Sequence, residues 1–196
     1  LGVGQYTSLD LNGSDEPRMA YYDVRQGALR YARYLGERGN CGPGSVWQCD
    51  TVDTVTAVDE MTGTGPHVSL RAGATTEVQI AYYDALNDTL KHAATPTSPG
   101  NCGPANTWRC TEIDDVGFTA GPMGLSLDLD SEGYGVIGYY DLDDRGVLKV
   151  AQPIGRLGLT EGNCGSGTWP TAHMAWQCDV VDDGLRSGEK HILGQY

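Results

Sequence analysis

An internal repeat runs through the whole chain, in units of about sixty residues. The tripeptide Tyr-Tyr-Asp begins at Tyr21, Tyr82 and Tyr139. A Ser-Leu pair precedes each tripeptide at a constant distance, and Gly-Asn-Cys-Gly followed by Trp-x-Cys comes after it. Because four landmarks keep their order, the chain contains three copies of one supersecondary unit. We assign the units to 1–54, 55–115 and 116–183, with a fourth unit beginning in 184–196.

Each unit has the pattern of four short strands. Alternating leucines such as Leu9 and Leu11 mark the first strand, and Tyr-Tyr-Asp ends the second. The third strand covers 29–32, 90–93 and 148–151, and the fourth runs through Trp-x-Cys. The 28 glycines suit tight turns between strands. This pattern predicts an all-β, β-propeller-like fold with three four-stranded antiparallel blades and the first strand of a fourth, in one repeat domain.

The motifs Ser-Leu-x-Leu-Asp, Ala-Tyr-Tyr-Asp and Leu-x-Tyr-Ala resemble a repeat of bacterial extracellular and surface proteins. Those repeats are similar to sialidase-type and lectin-type propellers. The resemblance covers essentially the whole chain and implies a propeller scaffold. The Asp-box of sialidase blades, Ser-x-Asp-x-Gly-x-x-Trp, is absent here, so the resemblance implies a fold rather than an activity.

Three blades are too few to close a propeller ring, which takes about four to eight. The segment 191–196 resembles 1–6, so a fourth unit is expected to start where the sequence stops. Further blades are expected from a second copy of the chain or from the rest of a longer polypeptide. The first residue is Leu1 rather than Met, as expected for a cleaved product.

The six cysteines fall into one pair per unit, and these pairs predict three local disulfides. The predicted bonds are Cys41–Cys49, Cys102–Cys110 and Cys164–Cys178. A zinc site or a redox pair would need a different spacing, such as Cys-x-x-Cys, which the sequence lacks. Disulfides imply an oxidising compartment, so we expect a secreted or cell-surface protein, with the periplasm as an alternative.

The formal net charge of −13 argues against nucleic acid and anionic lipid as partners, because both would be repelled. An acidic surface of this kind is most often only a soluble surface. It also suits a cation or a basic partner. No apolar run in the sequence is long enough to cross a membrane.

Repeated acidic residues are the first candidates for a site. Asp23, Asp84 and Asp141 close the second strand of each unit, where a carboxylate can accept hydrogen bonds from the following turn. We expect a structural role for them, with Arg30, Lys91 and Lys149 as cross-strand partners. A calcium loop is the alternative in the third unit, with ligands from Asp128, Asp130, Asp141 and Asp143. No bidentate Glu follows at the required distance, so a plain acidic turn and no cofactor are expected.

The third unit carries two insertions, at 154–160 and between Cys164 and Cys178. Loops that are unique within a repeated scaffold often carry function. Trp169 and His173 lie in the second insertion and Trp176 follows it, so these residues are the candidate ligand-binding set. The alternative is a loop that covers an apolar edge. His92 occupies the position of Tyr31 and Val150, which indicates a packing residue that faces a neighbouring blade.

No Ser/His/Asp or Cys/His arrangement recurs or clusters in the sequence. The sequence therefore favours a non-enzymatic extracellular binding module for a carbohydrate or protein ligand. One alternative is a glycan-active hydrolase of the sialidase-like propeller type, since carboxylates are plentiful. Another is a structural subunit of a surface assembly or filament.

Overall fold

The computed structural model describes residues 3–55, 67–73, 77–85, 87–95, 100–117, 124–142, 146–165, 176–186 and 189–190. Three four-stranded antiparallel sheets contain most of these residues, one sheet for each sequence unit. In each sheet the strands lie side by side in chain order. The predicted all-β class and the four strands per unit are therefore confirmed.

The strands have the following bounds. The first sheet contains β1 (Val3–Leu11), β2 (Pro17–Asp23), β3 (Ala28–Tyr34) and β4 (Trp47–Thr54). The second sheet contains β5 (Val68–Ala72), β6 (Val78–Asp84), β7 (Thr89–Ala94) and β8 (Arg109–Asp115). The third sheet contains β9 (Leu125–Leu129), β10 (Gly135–Asp141), β11 (Val147–Pro153) and β12 (Trp176–Asp182). A short hairpin of β13 (Leu185–Arg186) and β14 (Glu189–Lys190) follows. This hairpin lies within 184–196, the predicted start of a fourth unit, and residues 191–196 lie outside the described residues.

The Gly-Asn-Cys-Gly motif forms a corner that docks on the fourth strand of its own sheet. In the second unit Asn101 accepts a hydrogen bond from the N–H of Cys110 (2.7 Å) and donates one to its carbonyl (2.9 Å). A Cβ atom on Gly100 would lie 1.8 Å from the carbonyl oxygen of Trp108, so only glycine fits there. The same pair of hydrogen bonds recurs in Asn40–Cys49 and Asn163–Cys178.

All three predicted disulfides are present: Cys41–Cys49, Cys102–Cys110 and Cys164–Cys178. Each links the corner to the fourth strand beside it, so the bond and the asparagine hydrogen bonds hold the same junction. In the chain-entropy model, loops of these lengths stabilise the fold by about 2.5–3 kcal/mol per bond.

Apolar side chains join neighbouring sheets in two clusters of the same design. The first cluster combines Tyr22, Leu29 and Val52 of the first sheet with Leu70, Ile80 and Trp108 of the second. The second cluster combines Tyr83, Leu90 and Ile113 of the second sheet with Leu127, Ile137 and Trp176 of the third. We call the side that bears Val52 or its equivalent the front of a sheet, and the side that bears Trp108 or its equivalent the back. The front of each sheet therefore packs on the back of the sheet that follows it in the chain.

The first insertion of the third unit begins with a short helix, α1 (Ile154–Leu157). Ile154 is buried, while Leu157 and Leu159 are exposed. Gly158 ends the helix in the left-handed region, at a φ of 66°. The insertion therefore anchors itself through one aliphatic side chain and presents two others to solvent.

Candidate functional site

A buried charged cluster lies at the junction of the first and second sheets. Asp53 at the end of β4 accepts hydrogen bonds from the Tyr82 hydroxyl (2.7 Å) and the Lys91 ammonium (2.6 Å). Lys91 also pairs with Asp84 of its own sheet at 3.2 Å. One lysine is thus shared by a carboxylate from each sheet, and this contact fixes how the two sheets sit against each other.

The electrostatics of this cluster follow from burial and charge. Burial alone would lower the pKa of Lys91, but the hydrogen bond and charge of Asp53, with those of Asp84, raise it above its ordinary value. Burial also raises the pKa of Tyr82, and the neighbouring Asp53 raises it further. The lysine is therefore charged and the tyrosine neutral across the physiological range, as a structural ion pair requires.

The junction of the second and third sheets repeats this cluster. Asp114 accepts a hydrogen bond from the Tyr139 hydroxyl (2.5 Å) and pairs with Lys149 at 3.3 Å. Lys149 also pairs with Asp141 of its own sheet. Two junctions with the same residues at equivalent positions show that the contact is a property of the repeat.

Hydrogen bonds from side chain to backbone complete each junction. The hydroxyl of Tyr22 donates to the carbonyl of Tyr83 (2.9 Å), and Tyr83 donates to Tyr140 in the same way (3.3 Å). Serines of the Ser-Leu pairs accept from the backbone of the next sheet, at 3.0 Å in both Ser8–Leu70 and Ser69–Leu127. The repeated Ser and Tyr positions therefore reach across a junction, as Asp53 and Asp114 do.

The apolar part of the junction is a corner that receives one aliphatic side chain. Val52 is fully buried in the cluster that contains Trp108 and Cys110. A Cβ on Gly103 would lie 3.1 Å from the carbonyl oxygen of Thr51, so the corner and the preceding sheet are in close contact. Ile113 is buried beside Trp176 in the same way.

The back of the first sheet carries an open version of this corner. A pocket of about 370 Å³ lies there, and its walls include Met19, Tyr21, Ala32, Trp47 and the Cys41–Cys49 disulfide. These residues are equivalent to Ile80, Tyr82, Ala93, Trp108 and the Cys102–Cys110 disulfide of the second sheet. In the second sheet the corresponding space lies against Val52. We therefore take this first-sheet pocket as the candidate site.

The predicted role of the repeated aspartates is confirmed in its main points. Asp23 accepts a hydrogen bond from the N–H of Gln26 in the following turn (3.1 Å). The predicted pairing with the basic residue of the third strand holds for Asp84 and Asp141. It is wrong for Arg30, whose guanidinium donates to Gln26 and Thr51 instead. The physical reason is that no sheet precedes the first one in the described part of the chain, so no second carboxylate draws Arg30 inward.

The candidate calcium ligands have cationic partners from the chain itself. Asp128 pairs with Arg71 at 3.2 Å and Asp130 with Arg156 at 2.6 Å, while Asp141 pairs with Lys149. Asp130 also accepts the N–H groups of its own turn, as Asn12 does in the first sheet. Asp143 lies outside the described residues. Within the described ranges, no three His, Cys, Asp or Glu side chains are grouped as metal ligands.

Of the three residues predicted to bind a ligand, only Trp176 lies among the described residues. Trp169 and His173 lie outside the described residues, and their role stays a prediction. Trp176 is only 2% exposed and packs edge-on against His92, with 5.2 Å between ring centroids. The repeat thus places Trp176 in the core of a junction rather than in the inserted loop, and its contact with a ligand stays a prediction.

His92 is a buried packing residue at the junction of the second and third sheets, as predicted. Its Nε2 lies 3.0 Å from Oε1 of Gln79, and its Nδ1 has no partner among the described residues. Burial lowers the pKa of His92 to about 4. The imidazole is therefore neutral at physiological pH and is held between uncharged groups.

This burial predicts a specific loss of stability in acid. The folded pKa of about 4 lies below the ordinary value of 6.5, so only the unfolded chain gains the proton between these values, and stability falls as the pH is lowered through them. His92→Val, which copies Val150 of the third sheet, removes the imidazole and with it this pH-dependent loss of stability. Urea unfolding at pH 7 and pH 4 should show about 3 kcal/mol less loss for the variant than for the wild type. Parallel losses in both proteins would contradict the assignment, since all other titrating groups are shared.

Comparison of the chain with models of known protein families gives no match, and neither does comparison with curated protein sequences. No helix within the described ranges is long and apolar enough to cross a membrane. Asp53, Asp114 and Val52 did not figure among the sequence candidates. They could have been found by extending each Trp-x-Cys landmark by a few residues, to Val52-Asp53, Ile113-Asp114 and Val181-Asp182.

Proposed function

We propose that this chain is a non-enzymatic extracellular protein-binding module of the β-propeller type. The three sheets pack front to back through one repeated junction, as successive blades do, and this supports the propeller arrangement. The resemblance to bacterial surface repeats points the same way. The three disulfides are compatible with an oxidising, extracellular location.

The first-sheet pocket is the observation that carries the proposal. Its walls are mostly aromatic, aliphatic or disulfide groups, and the polar side-chain groups among its lining residues are the hydroxyls of Thr7 and Tyr21 and the indole N–H of Trp47. A sugar buried there would leave most of its hydroxyl groups without partners, which costs about 1–3 kcal/mol for each group. An aliphatic side chain with a carboxylate beside it fits better, because Val52 and Asp53 fill the equivalent space in the second sheet. The pocket thus favours a protein ligand over a carbohydrate.

Binding is favoured over catalysis because the buried polar groups are already committed to structure. Lys91 and Lys149 are each shared between two carboxylates. His92 bonds an amide and stays neutral. Within the described ranges, the two lysines are thus paired with carboxylates and His92 with an amide, and these contacts hold neighbouring strands and sheets together.

A peptide titration tests the proposal. The probe is Asp-Thr-Val-Asp-Thr-Val, the sequence of residues 50–55, and the control peptide replaces the Val52 position with serine. The probe is expected to shift the NMR signals of the Met19 methyl group and the Trp47 indole, while the control peptide and a panel of neutral oligosaccharides leave them unchanged. Shifts caused by the oligosaccharides, or equal shifts from both peptides, would overturn the proposal.

A further inference from the structure

Among the described residues, no sheet covers the two outer faces of this three-sheet stack, whereas the same positions inside the stack are covered by a neighbouring sheet. On the back of the first sheet, the side chain of Leu9 is 57% exposed, whereas the equivalent Leu70 and Leu127 are 0% exposed. On the front of the third sheet, Val181 is 59% exposed, whereas the equivalent Val52 and Ile113 are 0% exposed. Leu9 and Val181 therefore occupy positions that are buried between sheets wherever a neighbouring sheet is present.

The two faces complement each other in shape. The first-sheet pocket is the corner that receives Val52 or Ile113 at the internal junctions. Val181 is the residue of the third sheet that occupies the same position in its strand, directly before Asp182. A valine that projects from one face thus matches an apolar pocket on the other.

The two faces also complement each other in charge and hydrogen bonding. Asp182 is equivalent to Asp53 and Asp114, while Arg30 and Tyr21 are equivalent to the lysines and tyrosines that bind those carboxylates. The Nε atom of Arg30 is buried and has no partner among the described residues. On the first strand of the third sheet, Ser126 is exposed. The equivalent residues Ser8 and Ser69 each accept a hydrogen bond from a backbone N–H of the next sheet.

From this complementarity we infer that a second copy of the chain docks with the front of its third sheet on the back of the first sheet. Val181 enters the first-sheet pocket, Asp182 bonds Tyr21 and Arg30, and Ser126 accepts the N–H of Leu9. The inference rests on the proposed function, because it names the protein that the pocket binds. The contact joins unlike faces, so it propagates head to tail and closes into a ring or extends into a filament. Two copies would bring together six sheets, within the range of closed propellers of about four to eight blades.

Sedimentation equilibrium of the full chain over a range of concentrations tests this inference. The wild type is expected to show a mass of two or more copies that falls toward one copy on dilution. Val181→Asp should weaken the association by about tenfold or more, because it places a charge in an apolar pocket. The matched control is Leu159→Asp, which changes another exposed aliphatic residue outside the proposed contact and should leave the association unchanged.

A charge exchange tests the geometry independently of folding. Asp182→Arg and Arg30→Asp should each weaken the association by about tenfold or more, since each opposes like charges. The double variant carries both changes on every copy, so the opposite charges face each other again and the association should recover.

Two results would overturn the inference. One is a chain that sediments as a single copy at every concentration; the other is an association that Val181→Asp and Leu159→Asp affect equally. A single copy that still binds the 50–55 peptide would refute self-docking and leave the proposed function intact. A chain that binds neither itself nor the peptide would refute both.

Discussion

Replacing Lys91 with methionine is expected to lower the free energy of unfolding by about 3–5 kcal/mol, because a buried ion pair loses one partner. The Lys91 side chain is 13% exposed and is the shared cation of Asp53 and Asp84, whose side chains are 17% and 1% exposed. Without the lysine, two carboxylates face each other across the junction in a region of low dielectric constant. Urea unfolding followed by circular dichroism, at a concentration low enough to avoid self-association, measures the loss.

The first sheet offers a matched control for this substitution. Arg30→Met removes the cation at the equivalent position, where no carboxylate from another sheet lies among the described residues, so a loss of about 1 kcal/mol or less is expected. Asp53→Asn combined with Lys91→Met should recover part of the loss, because one of the two buried charges is then neutral. Equal losses in the Lys91 and Arg30 variants would contradict the view that the inter-sheet pair stabilises the stack.

Replacing Trp108 with alanine is expected to cost about 3–5 kcal/mol, the range for truncating a large buried aromatic residue. The Trp108 ring is 3% exposed and meets Tyr31 of the first sheet edge-on, with ring centroids 5.2 Å apart. The cavity would open inside the junction, beside Val52 and the Cys102–Cys110 disulfide. Those neighbours belong to two braced sheets, which limits how far they can move to fill the space.

Trp47→Ala is the matched control for Trp108→Ala. Trp47 has the same position in its unit, but it lines an open pocket and meets Tyr34 of its own sheet. Less than half of the Trp108 loss is expected, because much of the removed contact is already open to solvent. Comparable losses, measured by chemical unfolding with far-ultraviolet circular dichroism, would show that the junction adds little to the packing within one sheet.

Local features of this fold could be predicted well from the sequence. The strands around Leu9, Tyr21 and Leu29 follow from period-two alternation, and three repeats of one pattern reinforce one another. The disulfides followed from one cysteine pair per unit at short spacing. These features depend on contacts between residues that are close in the chain, so the pattern of each unit contains the information.

The candidate site was predicted less well, because it depends on contacts between units. The sequence pattern predicts a ligand at Trp169, His173 and Trp176, because loops that are unique within a repeated scaffold often carry function. Trp176 proved to be a junction residue, and the pocket lies on the repeated scaffold at Met19, Tyr21 and Trp47. Residues that recur in every unit are expected to be structural, and inside the stack Tyr82 and Trp108 are indeed buried between sheets. The equivalent residues of the first sheet line an open pocket, which we propose to be a binding site.

The sequence alone determined that this protein consists of three four-stranded units with one internal disulfide each, because strand alternation, turns and short cysteine loops are local properties. Only the tertiary structure decided which side of each sheet meets its neighbour. Alternation shows that a strand has two faces, but both faces of these sheets are apolar, so the pattern does not say what covers each one. Asp53 and Lys91 are 38 residues apart in the chain. They meet because packing one front on the next back brings them together, and the same packing leaves Leu9 and Val181 uncovered at the two ends.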